Sequence, residues 1–344
     1  MLHIEKEIAE QPDVIRRLLA GESQRAATIA RSIREFDPAF VMIAARGTSD
    51  NAARYAQYLM GIQARLPVAL ATPSVHTLYG QSPDLSRALV IGISQSGQSV
   101  DVGQVVSDAQ AQGAITVSIT NDPESPMAQS SAFHLPLHCE EEISIAATKT
   151  YTAELTAIAM LVTSLVDRDD LGQELTKLPD YVAETVRQSQ AISNWVQRYR
   201  YMDHVVVIGR GYNYCTAFEI SLKIKELCYV TGEEYSEADF RHGPIAVIQP
   251  GFPVIVVAPE GKPLPGLIDL LKQLRTKQAE CIVISNNETA LSYGENITQL
   301  PEIPEWLSPV VSVIPGQVFA MRLALTKGHT VDRPEGLTKV TITR

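Results

Sequence analysis

Ala88-Leu89-Val90-Ile91-Gly92-Ile93 runs directly into Ser94-Gln95-Ser96-Gly97-Gln98-Ser99, and a helical pattern begins at Val100. An unbroken apolar run of six reads as a strand of a parallel sheet buried on both faces. Where such a strand ends in small hydroxyl residues and a glycine just before a helix, it makes an anion cradle. N–H groups at a helix start lack intrahelical partners and carry partial positive charge. Ser94, Ser96 and Ser99 add hydroxyl donors, and Gly97 lets the backbone approach closely. The cradle suits a phosphomonoester on a small molecule. The same residues also suit an ordinary strand-to-helix loop capped by serines, since Ser is a preferred N-cap.

Outward from this stretch, apolar runs alternate with helical patterns, which argues for α/β layers around parallel sheets. The first half carries strand patterns at Phe40–Ala45, Val68–Ala71, Leu89–Ile93, Ile115–Thr120 and Phe133–Leu137. Helical patterns include Asp50–Met60, Val100–Gln112 and Ala146–Val166. Asp167-Arg168-Asp169-Asp170 is a charged break, and Pro179–Tyr199 reads as a connecting helix with Pro179 in its first turn. The second half repeats the plan, with strands expected at Val205–Gly209, Val254–Ala258, Cys281–Ser285 and Val310–Ile314. Its helices are expected at Cys215–Tyr229, Pro265–Lys277 and Gln317–Lys327. Ala44-Ala45-Arg46-Gly47-Thr48 echoes Ile208-Gly209-Arg210-Gly211-Tyr212, the mark of duplicated domains. The second copy has Ala258-Pro259-Glu260-Gly261 where the first has serines, so one complete phosphate site per chain is expected.

Length and composition set limits. A chain of 344 residues suggests two domains, and 45% hydrophobic with 20% charged residues is the balance of a soluble globular protein. The net charge of −10 argues against nucleic acid as a partner. The N-terminus lacks a basic segment followed by an apolar core, and no uninterrupted apolar stretch reaches membrane-spanning length, so neither export nor a membrane is expected. Cys139, Cys215, Cys228 and Cys281 are scattered and read as reduced, packed thiols of a cytoplasmic protein. His134, His138, Cys139 and the run Glu140-Glu141-Glu142 invite a metal assignment. Phe133–Leu137 reads as a strand, however, where positions four apart lie about 13 Å apart. A solvated strand end is expected there instead.

Three further segments carry chemistry. On the Cys215–Tyr229 helix, Glu219, Lys223 and Glu226 share one narrow stripe, while Ile220, Ile224, Leu227 and Cys228 lie off it. Helix geometry alone favours a solvated face with intrahelical ion pairs. The functional reading needs a carboxylate that moves a proton on and off carbon. Glu233-Glu234-Tyr235 and Phe240-Arg241-His242-Gly243-Pro244 follow, a polar stretch read as a loop, and histidine is the side chain whose chemistry suits ring opening of a sugar, which points to His242. His242 equally suits a loop residue that hydrogen-bonds the turn. The tail Asp332-Arg333-Pro334-Glu335-Gly336-Leu337-Thr338-Lys339-Val340-Thr341 lacks helical periodicity and would ordinarily be a frayed end. Pro334 and Gly336 give it a shaped path, and Lys339 has the chemistry to form an imine with a sugar carbonyl.

Together these residues resemble the sugar-isomerase (SIS) family, specifically the isomerase portion of glucosamine-6-phosphate synthase. The likeness runs through the whole chain. It includes Lys6-Glu7-Ile8-Ala9-Glu10-Gln11-Pro12, Gly47-Thr48-Ser49, Ser94-Gln95-Ser96-Gly97, and Glu142-Ile143 with Thr148-Lys149. It continues through Glu219, Lys223, Lys225-Glu226, His242-Gly243-Pro244 and Asp332-Arg333-Pro334 with Leu337 and Lys339. The resemblance implies two tandem SIS domains, each a parallel-sheet α/β sandwich of flavodoxin-like type, with a C-terminal tail over the active site. The expected divisions are an N-terminal helix over 1–30, SIS domains over 31–167 and 200–330, a connecting helix over 168–199 and the tail over 331–344.

The resemblance also implies roles. Thr48, Ser49, Ser94, Gln95, Ser96 and Ser99 would hold the sugar phosphate, with Glu219 and Lys223 as supporting site residues. Glu226 would shuttle a proton between C1 and C2, His242 would open the ring in the neighbouring subunit's site, and Lys339 would form a Schiff base. A homodimer with a shared site is implied, and no metal or organic cofactor is needed, since imine chemistry supplies the electron sink. There are departures: Arg46 stands where the synthase usually has Cys, Ala147 where it has Ser, and Glu335-Gly336 where it has Arg-Asn. The chain begins at the linker helix, with no N-terminal cysteine nucleophile and no room for a glutaminase domain, so a nitrogen-releasing direction is expected. That gives an amino-sugar-phosphate deaminase/isomerase, converting glucosamine 6-phosphate to fructose 6-phosphate and ammonia. The alternatives are a fructosamine-6-phosphate deglycase, a galactosamine-6-phosphate deaminase/isomerase and, outside enzymes, a sugar-phosphate sensor.

Overall fold

Alternating strands and helices close into two sheets, each of five parallel strands. The computed structural model describes residues 2–166 and 168–339. Two compact units contain them, one built from residues 11–142, the described part of 149–179 and residues 338–339, the other from residues 2–10, 143–148 and 180–337.

The first unit holds β1 (Phe40–Ala44), β2 (Val68–Leu70), β3 (Ala88–Ile93), β4 (Ile115–Thr120) and β5 (Phe133–Pro136), in the order β2-β1-β3-β4-β5. Every residue of β3 and β4 is buried, which is why these strands show no alternation in sequence. The hydroxyls buried with β4 are paired, Ser118 with Ser131 at 2.6 Å and Thr120 with the carbonyl of Asp122 at 2.8 Å. Helices Gly47–Leu59 and Val100–Ala111 follow β1 and β3, and Lys149–Val166 is buried along most of its length.

The second unit repeats that order. Its strands are β6 (His204–Gly209), β7 (Thr231–Ser236), β8 (Pro253–Val257), β9 (Glu280–Ser285) and β10 (Asn296–Gln299), arranged β10-β9-β8-β6-β7. Numbered from the first strand of each unit, both sheets read 2-1-3-4-5, the flavodoxin-like order. The duplication glimpsed in the Arg-Gly echo thus extends to the whole topology.

Several expectations change. Val310–Ile314 is not a strand but lies within the helix Ser308–Lys327. A short, wholly buried apolar run has no periodicity to separate strand from helix, and here Pro309 sits in the first turn of a twenty-residue helix. Thr231–Ser236, read as loop, is an edge strand pairing only with β6, where Glu233 and Glu234 are tolerated. The connecting helix runs Leu178–Ser189, and 3₁₀ turns continue it to Tyr199. Of the charged break, Asp167 lies outside the described residues, while Asp169 and Asp170 open a short helix.

The span Glu305–Lys327 is long and apolar enough to cross a membrane by length and composition, and 83% of its most apolar window is buried, as in a core helix. It packs closely on the helix Tyr214–Cys228. A Cβ on Gly316 would lie 2.2 Å from Ile220 Cγ1. Gly316→Ala is therefore expected to lower stability by about 1–3 kcal/mol, read as a lower urea midpoint.

Candidate active site

In open α/β sheets, ligands bind beyond the carboxyl ends of the strands, where the strand order reverses. In the first sheet that point lies between β1 and β3, which pair in parallel with Ala44 beside Gly92. The loop after β1 carries Arg46, Gly47, Thr48 and Ser49, and the loop after β3 is the serine-rich stretch. Sheet topology thus brings together the two segments assigned to phosphate.

The serine loop is not a simple cap. Ser99 holds the N-cap position of Val100–Ala111, yet its hydroxyl caps no backbone N–H. It lies 3.5 Å from Ser94 Oγ, which accepts the N–H of Gly97 at 3.1 Å. Ser96 Oγ accepts the N–H of Gln98 at 3.3 Å. The capped-loop alternative therefore fails at Ser99. Gly97 is required twice over: its φ is +64°, and a Cβ would lie 2.2 Å from Ser125 Oγ. Gly97→Ala is expected to cost about 2–4 kcal/mol from the left-handed backbone and overpacking together, read as a lower urea midpoint.

Beneath the β1 loop, Ser49 is buried and donates its hydroxyl to Glu154 Oε1 at 2.8 Å. Glu154 is itself buried on the Lys149–Val166 helix. The carbonyl of Gln95 accepts the N–H of Asn121 at 3.0 Å, which fixes the loop after β3 against the turn after β4.

In the second sheet the matching crevice, after β6 and β8, is filled by the protein. A Cβ on Gly211 would meet Pro263 Cγ at 3.1 Å, and one on Gly261 would meet Glu305 Cδ at 2.4 Å. Glu305 Oε2 accepts the N–H of Lys262 at 2.9 Å. At Gly47, by contrast, nothing lies within 4 Å of the Cβ position.

The stripe Glu219, Lys223 and Glu226 corrects the solvated-face expectation. Glu219 and Lys223 are sealed, 0% and 1% exposed, whereas the Glu226 side chain keeps 23% exposure. Lys223 Nζ stands 3.3 Å from Glu219 Oε1 and 2.5 Å from Glu226 Oε2. Burial alone pulls the ammonium pKa down, but the two carboxylates outweigh it and hold the value well above the ordinary lysine range. Lys223 is thus a fixed cation in contact with the Glu226 carboxylate. Ile220, Ile224, Leu227 and Cys228 are buried as expected. His242 lies elsewhere, exposed at the C-cap of the short helix Glu237–Arg241, and its imidazole joins no ion pair among the described residues.

The tail is anchored, not frayed. Asp332 accepts the N–H groups of His3 and Ile4 at 3.1 and 2.9 Å, capping the His3–Phe36 helix, and its carbonyl accepts the N–H of Ile145. Glu335 donates its N–H to the hydroxyl of Tyr229 at 2.7 Å. Lys339 Nζ is 3.1 Å from Glu142 Oε2, and Glu142 also accepts the Thr150 hydroxyl at 2.7 Å. Val340 and Thr341 lie outside the described residues.

Three buried carboxylates, Asp101, Glu142 and Glu154, hold Arg46, Lys339 and Ser49; the sequence singles out only Glu142, as part of a family motif. The expected solvated strand end holds for Glu140 and Glu141, which are exposed, but Glu142 is buried. Of the residues that invited a metal, His134 pairs with Thr120 and His138 with Glu22. All four cysteines are buried, and burial pushes the thiols of Cys228 and Cys281 up to about 12.

Residues 39–164 and 199–327 each match the SIS domain family. Over 337 residues the chain is 33% identical to a protein of Aquifex aeolicus named glutamine–fructose-6-phosphate aminotransferase [isomerizing], covering 97% of this chain and 56% of that one. The chain spans just over half the length of the curated relatives it matches. A crystal structure from Silicibacter pomeroyi, described as a candidate phosphosugar isomerase, superposes with a TM-score of 0.85 at 30% identity, covering 96% of this chain and 99% of that one. The glucosamine-6-phosphate deaminase structure from Thermotoga maritima shares the fold, with a TM-score of 0.82 at 21% identity, covering 99% of this chain and 100% of that one.

Proposed function

Since the chain belongs to the SIS domain family, we propose that it is an amino-sugar-phosphate deaminase/isomerase, converting glucosamine 6-phosphate and water to fructose 6-phosphate and ammonia. The observation that carries this reading is the sealed Glu219–Lys223 pair behind a partly exposed Glu226. A carboxylate backed by a buried cation and open on one side is equipped to take a proton from carbon and return it.

The steps balance without an outside oxidant. His242 opens the ring to the C1 aldehyde. Glu226 takes the C2 proton, and an enediol-type intermediate bearing nitrogen at C2 forms. Return of the proton to C1 makes an alcohol there and an imine at C2, so C1 is reduced as C2 is oxidised. Water, or Lys339 followed by water, attacks C2 and releases ammonia. The cup of Thr48, Ser49, Ser94, Gln95, Ser96 and Ser99 is assigned to the phosphate. Glu142 holds Lys339 in place through its ion pair. A homodimer sharing residues between sites belongs to the same proposal.

The test is ammonia release by the full chain from glucosamine 6-phosphate, galactosamine 6-phosphate and fructosamine 6-phosphates. Release from glucosamine 6-phosphate supports the reading. Turnover only of the galactose epimer or of the fructosamine compounds reassigns the substrate, and binding without turnover of any of them makes the protein a sensor.

A further inference from the structure

We propose that Arg46 is a direct ligand of the substrate's anionic end, held ready for it by Asp101. This rests on the phosphosugar reading above and adds to the cup a charge that the serines lack.

Arg46 leaves the end of β1, and its guanidinium sits beside the first turn of the Val100–Ala111 helix. Nε and Nη2 both donate to Asp101 Oδ2, at 2.8 and 2.7 Å. Asp101 is almost wholly buried, whereas the Arg46 side chain is 49% exposed. One edge of the guanidinium is thus fixed on a sealed carboxylate. The Nη1 end has no partner among the described residues. Asp50, the other carboxylate close to Arg46, is held by Arg54 at 3.0 Å. A planar, permanently charged fork with one edge anchored and the other available is the form in which arginine receives phosphate. It adjoins Gly47, which has nothing within 4 Å of its Cβ position, and its anchor Asp101 lies two positions after Ser99, whose hydroxyl does no capping.

The second unit supplies an internal comparison. Arg210 and Gly211 repeat the turn, with φ −155° and ψ 156° then φ +62°, against φ −140° and ψ 151° then φ +53° at Arg46 and Gly47. Arg210 is likewise half-exposed and paired with a buried carboxylate, Glu237. There, however, Pro263 and Glu305 fill the crevice. The same arginine turn occurs twice, with protein atoms against the glycine of the second copy and nothing within 4 Å of the Cβ position in the first.

Calorimetry on the full chain, with fructose 6-phosphate and inorganic phosphate as probes, tests the assignment. Arg46→Ala alone would strand the buried Asp101, so the principal variant is Arg46→Ala/Asp101→Asn, which removes both charges. It is expected to bind fructose 6-phosphate about 10- to 100-fold more weakly, with a shallower dependence of affinity on salt. Arg46→Lys, which keeps a charge for Asp101 but loses the fork, is expected to lose about 3- to 10-fold. Arg210→Ala, which leaves Glu237 paired with Arg241, is expected to bind as the parent chain does. Parent-like affinity and salt dependence in both Arg46 variants overturn the ligand role while the phosphosugar reading stands. If the parent chain binds neither probe, the phosphosugar reading falls and this assignment falls with it.

Discussion

Glu226→Gln is expected to bind fructose 6-phosphate with near-parent affinity and to release ammonia from glucosamine 6-phosphate about 10²- to 10⁴-fold more slowly. The substitution keeps side-chain shape, and its amide oxygen still accepts from Lys223 Nζ, which stands 2.5 Å from Glu226 Oε2 in the parent. What it removes is the capacity to carry a proton. Exchange of the C1 hydrogen of fructose 6-phosphate with deuterium from solvent offers a second readout, because it follows the same shuttle without any release of ammonia. Both rates fall together if Glu226 is the base. An unchanged denaturant midpoint excludes a folding defect, and near-parent turnover removes Glu226 from the role.

The parts of this arrangement that the sequence reveals are those with a periodic or local signature. Ala88–Ile93 is legible because burial on both faces leaves an unbroken apolar run, and the serines after it are legible because hydroxyl residues beside a helix start serve as caps or as anion donors. The spacing of Glu219, Lys223 and Glu226 puts them on one stripe, but spacing says nothing about what covers that stripe. Burial is a tertiary property, and here it turns an apparent solvent face into a sealed ion pair. Single carboxylates are harder still. Asp101, Glu142 and Glu154 acquire their roles from partners 55, 197 and 105 positions away, Arg46, Lys339 and Ser49, and no window of sequence contains both members. Val310–Ile314 fails for a related reason, since β-branched residues enclosed on all sides lose the periodicity that would mark a helix.

Lys223→Met is expected to destabilise the protein by about 3–5 kcal/mol, because it removes the cation from a buried ion pair. In the parent, the ammonium pKa is raised in the folded state, so the stabilisation from Lys223 is fully present below the unfolded lysine value of about 10.4 and is lost only as pH rises through the raised folded value. Across neutral pH it is therefore flat. In the variant, Glu219 stays fully enclosed but has lost the Lys223 ammonium 3.3 Å away, and burial will push its carboxyl upward. The folded state then binds a proton that the unfolded state releases above about pH 4.3, so stability must fall as pH climbs from 5 towards 8. Urea midpoints over that range give the slope directly, and Glu219→Gln/Lys223→Met should flatten it by removing the enclosed acid. Activity is expected to drop as well, since Glu226 loses the ammonium that holds its carboxylate in place. A Lys223→Met protein with parent stability at pH 8 would mean that the pair is not sealed in solution, and the case for Glu226 as a cation-backed base would go with it.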